Sequence, residues 1–195
     1  MILKNRSYRR FYEDFRIQPE VLYELIDLAR LSASAANLQP LKYIISCESE
    51  SNDLIFSHLS WAGYLEDWEG PEEGERASAY IIVLGDREIS QTPGCDHGIA
   101  AQSIMLGATE RGLGGRIVGS IDREKLVKAL LIPNRFEILI VLALGKPAET
   151  VAIETVGIDG DIRYWRDREG VHHVPKRRLD DIVARRGSKG LIWGL

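Results

Sequence analysis

A cluster of basic side chains near the start of the chain has the residue types that bind phosphate. Arg6, Ser7, Arg9 and Arg10 lie within five residues, just before a predicted amphipathic helix. Arginine presents a rigid fork of donors that matches phosphate oxygens, and a serine hydroxyl adds one more donor. Taken alone, the cluster is more typical of a solvated basic turn than of a cofactor site. The choice between these two interpretations depends on the other motifs of the chain.

Composition limits the class of protein. With 195 residues, 45% of them hydrophobic and 28% charged, the chain has the size and balance of one globular domain. A net charge of −4 argues against nucleic acid as the main partner. No apolar run approaches the length of a membrane span and the N-terminus reaches charged residues at once, so we expect neither membrane anchor nor signal peptide. Cys47 and Cys95 are too few for a disulfide framework, which predicts a cytoplasmic location.

Hydrophobic patterns predict the helices and strands that must position the basic cluster. Pro19 to Leu31 has helical spacing behind a proline suited to the first helical position. The apolar run from Ala79 to Leu84 predicts a strand buried on both faces. A helix from Asp96, which we expect to cap it, to about Arg111 is apolar nearly all round, as in a core or between subunits. Further strands are predicted at Tyr43 to Cys47, Arg116 to Val118 and Ile138 to Leu144, and further helices at Asp53 to Leu59 and Arg123 to Leu131.

Two regions depart from this regular pattern. Between residues 61 and 75, Trp61, Tyr64 and Trp68 alternate with acidic residues, which is typical of a lid or binding loop and equally of a solvated acidic loop held by two tryptophans. Beyond Pro147 the core pattern thins. The Asp159-Gly160 pair, between Val151–Ile158 and Asp161–Trp165, predicts a hairpin. A basic segment, a short helix and a tail from Gly187 to Leu195 follow, and this region is predicted to pack on something else, such as a second copy of the chain.

Several familiar motifs are absent. In Gly112–Ser120 a Rossmann fingerprint would need glycine where Ile117 stands, and a Walker A loop would need lysine at Ser120. Gly119 still lets a backbone N–H approach a ligand closely.

Other pairs of reactive residues carry little weight. In Cys95-Asp96-His97 the side chains of neighbours do not face one another, and the adjacent histidines His172 and His173 in a probable strand face opposite ways. No residues have metal-ligand spacing, so no metal is expected. If the chain is an enzyme, a bound cofactor is expected to carry the chemistry.

The chain resembles the FMN-dependent nitroreductase family in four segments that occur in the family's order. Together they span about residues 5 to 183. The segments are Arg6-Ser7-Tyr8-Arg9-Arg10-Phe11, Ser34-Ala35-Ala36-Asn37-Leu38-Gln39-Pro40, Gly112-Leu113-Gly114 leading to Ile117-Val118-Gly119, and the basic segment before Leu179-Asp180-Asp181-Ile182-Val183.

The resemblance implies an α+β fold, a three-layer sandwich with a mixed, mostly antiparallel sheet flanked by helices. It further implies one FMN-binding domain over residues 1–195 and a homodimer with FMN at the interface. Residues from about 150 to 195 would form a C-terminal extension that wraps the partner subunit, which explains why they lack a core pattern of their own.

The resemblance also assigns roles to individual residues. Arg6 and Ser7 would hold the FMN phosphate and ribityl end, and Arg9 would reach the flavin N1–O2 edge, where a fixed cation raises the reduction potential. Val118 and Gly119 would lie near flavin N5. The remaining cofactor residues would be Ala33, Ser34, Ala35, Asn37 and Gln39 from the partner subunit, and Lys176 and Arg178 at the phosphate.

The activity implied is ping-pong hydride transfer from NADH or NADPH, through FMN, to nitroaromatics, quinones or similar electron-poor acceptors. Trp61, Tyr64 and Trp68 would shape the acceptor pocket. Reductive dehalogenation or flavin fragmentation on the same scaffold, and a flavin-binding protein without turnover, remain alternatives. Asn5, Ala33 and Ser120 depart from residues frequent in the family, and the choice between Arg177 and Arg178 at the phosphate stays open.

Overall fold

The computed structural model describes residues 1–61, 63–65 and 67–183, and its chain divides into two compact units, Met1–Thr150 and Val151–Leu195. The first unit holds a five-stranded sheet and four α-helices among its described residues. In chain order its elements are β1 Phe11–Tyr12, α1 Pro19–Arg30, β2 Leu41–Ser46, α2 Ser49–Phe56, β3 Ala79–Asp86, α3 Asp96–Glu110, β4 Gly114–Val118, α4 Arg123–Ala129 and β5 Phe136–Pro147.

The sheet of the first unit is built around β3 and β5. Strand β3 pairs with β2 on one side and with β5 on the other, and the long β5 also pairs with β1 and β4. All four pairings are antiparallel, and a single parallel bridge joins Ser7 to Gly115. The mostly antiparallel sheet predicted for the chain is therefore confirmed.

Each face of this sheet is covered by its own pair of helices. On one face Ile81 and Val83 pack with apolar residues of two helices, among them Leu25 of α1 and Ile104 of α3. On the other face Tyr80 and Ile82 pack with residues of α2 and α4 in a second cluster. Because successive strand residues point to opposite faces, β3 is buried along its whole length, as its unbroken apolar run predicts. The result is a three-layer α+β sandwich.

The second unit is a small three-stranded sheet. Its elements are β6 Val151–Thr155, β7 Trp165–Arg166, β8 His172–Lys176 and α5 Leu179–Ile182. Strand β8 lies in the centre, parallel to β6 and antiparallel to β7. The predicted tail from Gly187 to Leu195 lies outside the described residues.

Three sequence predictions about these elements need correction. The hairpin across Asp159-Gly160 is wrong: Gly160 does turn the chain, with φ 73°, but β6 pairs with β8 and not with β7. Asp96 does not cap α3, because Cys95 holds that position and Asp96 is the first helical residue. The α2 helix runs from Ser49 to Phe56, earlier than predicted.

Candidate cofactor site

The N-terminal basic segment is fixed to the sheet of the first unit by its backbone. The Tyr8 N–H donates to the Gly115 carbonyl at 3.0 Å, and β1 follows at once beside β5. A Cβ on Gly114 would lie 2.4 Å from the Tyr8 ring, and one on Gly115 would lie 2.5 Å from the Ala143 carbonyl. Gly114 therefore leaves room for the N-terminal segment that carries Arg9, and Gly115 leaves room for the close approach of β5. The sequence did not reveal either role.

Arg9 is a buried cation in a fixed position. Arg9 is only 6% exposed, and its Nη1 donates to the Ser7 carbonyl at 3.3 Å. The backbone N–H groups of Arg9 and Arg10 both donate to the Glu149 carboxylate. Arg10 itself pairs with Glu75 at 2.7 Å, so Arg10 is held within the protein.

Arg6 offers a donor that the described protein leaves unused. Its Nη2 donates to the Ile2 carbonyl at 2.7 Å, while its Nε is buried and has no hydrogen-bond partner in residues 1–61, 63–65 and 67–183. A buried donor without a partner costs free energy, about 1–3 kcal/mol, unless a ligand supplies the acceptor. Ser7 beside it is exposed.

The loop before β2 is anchored by a buried carboxylate. Asp96 is only 3% exposed. Its Oδ2 accepts a hydrogen bond of 2.6 Å from the Ser34 hydroxyl, and its Oδ1 accepts one of 3.0 Å from the Ala35 N–H. The Ser34 Oγ in turn accepts the Gln39 N–H at 2.9 Å. Asp96 thus connects α3 to both ends of this loop.

The backbone of this loop is unusual. Ala36, Asn37 and Gln39 all have positive φ, of 49°, 54° and 52°, although none is glycine. Left-handed backbone is unfavourable for residues with a Cβ and persists where the surroundings enforce it. The loop also presents Ala33, Ala35, Asn37 and Gln39 to solvent, with Ser34 half-buried.

A cleft of about 210 Å³ adjoins the loop. Ala33, Ser34 and Gln39 line it together with Asp96 and Tyr43. Burial, and secondarily the negative charge of Asp96, raise the pKa of Tyr43 to about 12, so this hydroxyl stays protonated and available as a donor at neutral pH.

The end of β4 contributes backbone rather than side chain. Val118 is 1% exposed and belongs to the second core cluster, so its side chain is committed to packing. Gly119 is exposed, and a Cβ placed there would meet nothing within 4 Å. Space for a ligand therefore exists beside the Gly119 backbone.

The aromatic residues of the 61–75 region differ in exposure. Trp61 is 8% exposed. Its ring packs at a tilt against Phe56, with the centroids 5.6 Å apart, and the Arg116 guanidinium lies 4.9 Å from it. Trp68 packs against the same core cluster, while Tyr64 is 50% exposed. Of the three predicted pocket residues, Tyr64 offers the most surface to a ligand.

The second unit carries the remaining predicted residues. Lys176 ends β8, and Arg178 precedes α5, where its N–H donates to Asp181 Oδ2 at 3.3 Å. Both side chains are exposed.

The two histidines of β8 do face opposite ways, as predicted for neighbours in a strand. His172 is buried beside Tyr164, and His173 stacks on Trp165 and bonds two carboxylates. The described residues contain no group of three or more His, Cys, Asp or Glu side chains placed to hold a metal ion. Nor does any helix in the described part of the chain have the length and apolar character needed to cross a membrane.

The geometry thus brings the predicted residues of the first unit together in groups. Ser7 and Arg9 lie on the segment beside β4, and Ala33, Ser34 and Gln39 share one cleft. Sequence reasoning missed Asp96 as the anchor of the loop and Glu149 as the acceptor for the Arg9 backbone. No local signal marks either residue, because each acts on a segment distant in sequence.

The described residues of the first unit define an α+β sandwich with a basic segment beside its sheet, and comparison with known proteins identifies the family. The profile of the Nitroreductase family matches residues 2–146. The chain therefore belongs to the nitroreductase family. A protein of Archaeoglobus fulgidus described as an NADH dehydrogenase/NAD(P)H nitroreductase is 29% identical over 176 residues, which cover 86% of this chain and 93% of that protein.

Solved structures have the same fold. A nitroreductase family protein from Clostridium novyi NT is 25% identical, with a TM-score of 0.61 over 75% of this chain and 84% of that one. An FMN-dependent nitroreductase from Clostridium difficile R20291 is 23% identical, with a TM-score of 0.62 over 76% and 88%. The NADPH:FMN oxidoreductase of Vibrio harveyi, complexed with NAD+, is 23% identical, with a TM-score of 0.60 over 76% and 67%. The nitroreductase-like fold predicted from the sequence is therefore confirmed.

Proposed function

We propose that this protein is an FMN-dependent NAD(P)H oxidoreductase, a cytoplasmic homodimer with FMN at the subunit interface. The observation that carries the proposal is the family match over residues 2–146, which includes every predicted cofactor residue of the first unit. When bound, FMN supplies hydride transfer from NAD(P)H to an electron-poor acceptor such as a nitroaromatic or a quinone, with ping-pong kinetics. The names of the relatives, which include FMN and NAD(P)H, support this assignment.

The residues at the N-terminus fit the phosphate end of FMN. A phosphate monoester carries close to two negative charges at neutral pH and accepts several hydrogen bonds. Arg6 brings a positive charge and a buried Nε that needs an acceptor, and the Ser7 hydroxyl beside it is exposed. We therefore assign Arg6 and Ser7 to the phosphate and ribityl end.

Arg9 suits a different task, the stabilisation of negative charge on the flavin ring. A buried cation that is already fixed in place stabilises developing charge without the cost of reorganising. The contacts of Arg9 with Ser7 and Glu149 hold it in that way. We assign Arg9 to the N1–O2 edge of the flavin, where it raises the reduction potential, and the open space at Gly119 to the N5 side.

The partner subunit completes the site in this proposal. The exposed loop residues Ala33, Ala35, Asn37 and Gln39, with Ser34, would face the cofactor of the other subunit. Residues from about 150 onward would wrap that subunit and return Lys176 and Arg178 to the phosphate. The exposure of both basic side chains is compatible with this role. Trp61, Tyr64 and Trp68 would shape the acceptor pocket.

The experiment that tests the function is the visible spectrum of the purified protein, recorded anaerobically before and after NADH and then NADPH. We expect a flavin band that bleaches with at least one donor and returns when a nitroaromatic or a quinone is added. A flavin band that neither donor bleaches would indicate a flavin-binding protein without turnover. A colourless protein that FMN cannot reconstitute would contradict the proposal.

A pair of arginine variants separates an enzyme from a carrier. Arg9→Gln is expected to slow flavin reduction at saturating donor about tenfold or more, because the fixed charge is lost. Arg16→Gln is the matched control, since Arg16 is an exposed arginine nearby in the sequence with no assigned role. Equal reduction rates in both variants and the wild type would remove Arg9 from the reaction.

A further inference from the structure

The loop of residues 33–39 combines strain with a single buried anchor. Three residues with side chains, Ala36, Asn37 and Gln39, adopt left-handed backbone within four positions. This backbone conformation is unfavourable for any residue with a Cβ. A loop exposed to solvent would relax from this conformation unless other interactions held it.

Those interactions converge on Asp96. Its two carboxylate oxygens accept the Ser34 hydroxyl at 2.6 Å and the Ala35 N–H at 3.0 Å, at the start of the loop. Because the Ser34 hydroxyl donates its hydrogen bond to Asp96, a lone pair of Ser34 Oγ is free to accept the Gln39 N–H at 2.9 Å, at the end of the loop. One carboxylate therefore closes the loop at both ends through one hydroxyl.

The geometry suits a side chain with two acceptor oxygens at this position. Both oxygens of Asp96 act as acceptors, and a serine hydroxyl has one proton to give. An asparagine would keep one acceptor for the Ala35 N–H, but its NH₂ group would face the Ser34 hydroxyl as a second donor.

We propose that Asp96 is the positioning residue of the cofactor loop: through the relay from Asp96 to Ser34 to the Gln39 amide, it holds residues 33–39 in the conformation that binds FMN. The inference rests on the proposed function, because it takes that loop to be part of the FMN site. Asp96 itself touches no cofactor in this scheme. It acts through the backbone and hydroxyl groups that it orders.

The test is the dissociation constant of FMN for the apoprotein, measured by flavin fluorescence, together with the melting temperature of each variant. We expect Asp96→Asn to weaken FMN binding about tenfold, because the relay is broken. Ser34→Ala should weaken binding at least as much. The Asp96→Asn and Ser34→Ala double variant should be no worse than Ser34→Ala alone, since both changes cut the same chain of bonds.

The matched control is Asn52→Ala. Asn52 is another polar side chain that links distant segments: its Oδ1 accepts from the Ser46 hydroxyl at 2.7 Å, and its Nδ2 donates to the Ser78 carbonyl at 2.9 Å. Its removal should lower the melting temperature and leave FMN affinity unchanged. This control separates a loss of cofactor geometry from a general loss of stability.

Each result decides the matter. Full FMN affinity in Asp96→Asn, or a loss no larger than in Asn52→Ala, would overturn the inference while the proposed function stood. Additive losses in the double variant would also overturn it, because Asp96 would then act by another route. A wild-type apoprotein that does not bind FMN would contradict the proposed function itself. If Asp96→Asn failed to fold, Asp96→Glu would take its place: faster hydrogen exchange of the Gln39 amide with Ser34 intact would support the relay, and unchanged exchange would refute it.

Discussion

The two units of this chain are stabilised in different ways. The first unit covers both faces of its sheet with apolar clusters, and every residue of β3 is buried. The second unit has short strands, and many of its apolar side chains are exposed, among them Trp165 at 45%, Ile182 at 62% and Leu179 at 68%. Burial of apolar surface is the main source of folding free energy. The first unit therefore contains its own core, whereas the second depends more on polar contacts and on whatever covers it.

The polar contacts of the second unit centre on His173. Its Nδ1 and Nε2 each lie 2.9 Å from a carboxylate, of Glu154 and Asp167, and its ring stacks on Trp165 at 4.9 Å. This cluster ties β6, β8 and the segment after β7 together. Such contacts fix a conformation, but ion pairs near the surface contribute little free energy compared with a core.

The largest contrast is expected between core deletions in the two units. Leu142 in β5 is fully buried, and Leu142→Ala should destabilise the protein by about 2–5 kcal/mol, because it leaves a cavity as well as losing burial. Ile153 in β6 is 40% exposed, so Ile153→Ala should cost about 1 kcal/mol or less. Urea unfolding measures both. Equal losses would show that the second unit is as tightly packed as the first.

The same contrast explains which parts of the fold were readable from sequence. The unbroken apolar run of β3 and the helical spacing of α1 are local signals, and burial in a large core enforces them. In the second unit, Asp159-Gly160 signalled a turn that does form. The strand that pairs with β6 is nevertheless β8, which comes later in the chain. No local pattern distinguishes that pairing from a hairpin.

The candidate site was readable only in part for a similar reason. The family-like segments pointed to Ser34 and Gln39, but not to the carboxylate that holds them, since Asp96 lies far away in sequence and resembles an ordinary helix cap. Among the glycines between residues 112 and 119, the sequence singled out Gly119 alone as a point where a ligand can approach the backbone closely. Gly114 makes room for Tyr8 of the N-terminal segment, and Gly115 makes room for β5. Both requirements are visible only when the neighbouring segments are side by side.

Within the first unit, packing should make one glycine indispensable and another replaceable. Gly114→Ala should destabilise by about 1–3 kcal/mol, because the new Cβ would overlap the Tyr8 ring and Pro147. Gly119→Ala should change stability by less than about 0.5 kcal/mol, since its Cβ would enter open space. Thermal unfolding of the two variants is the measurement. A stable Gly114→Ala protein would mean that the N-terminal segment is free to move.

The exposed apolar residues of the second unit are expected to be covered by the partner subunit. Ile182→Glu places a charge on α5 and should weaken the dimer about tenfold or more, because burying that charge is costly. Leu131→Glu, at a position 86% exposed in the first unit, is the control and should leave the dimer intact. Sedimentation at several concentrations measures both. A dimer unaffected by Ile182→Glu would leave α5 outside the interface.

The smallest expected effect is electrostatic and concerns His173. The hydrogen bond to Asp167 is the largest cause that raises the pKa of His173 above its ordinary 6.5, and the hydrogen bond to Glu154 is the second. The hydrogen bond from His173 in turn lowers the pKa of Asp167 below 3.8. A raised histidine pKa stabilises the folded state fully below pH 6.5, and that contribution is lost as the pH rises through the raised value. The lowered Asp167 pKa contributes above pH 3.8 and is lost as the pH falls through its folded value. The cluster is therefore most stabilising between these limits.

Imidazole titration by NMR tests this linkage directly. Asp167→Asn should lower the pKa of His173 more than Glu154→Gln does, since the Asp167 bond is the larger cause of the shift. Asp159→Asn, in the exposed turn after β6, is the control and should leave the titration unchanged. If Asp167→Asn did not move the His173 titration, the ion pair would not persist in solution. The second unit would then lack a fixed polar cluster, and its order would depend more on the proposed dimer.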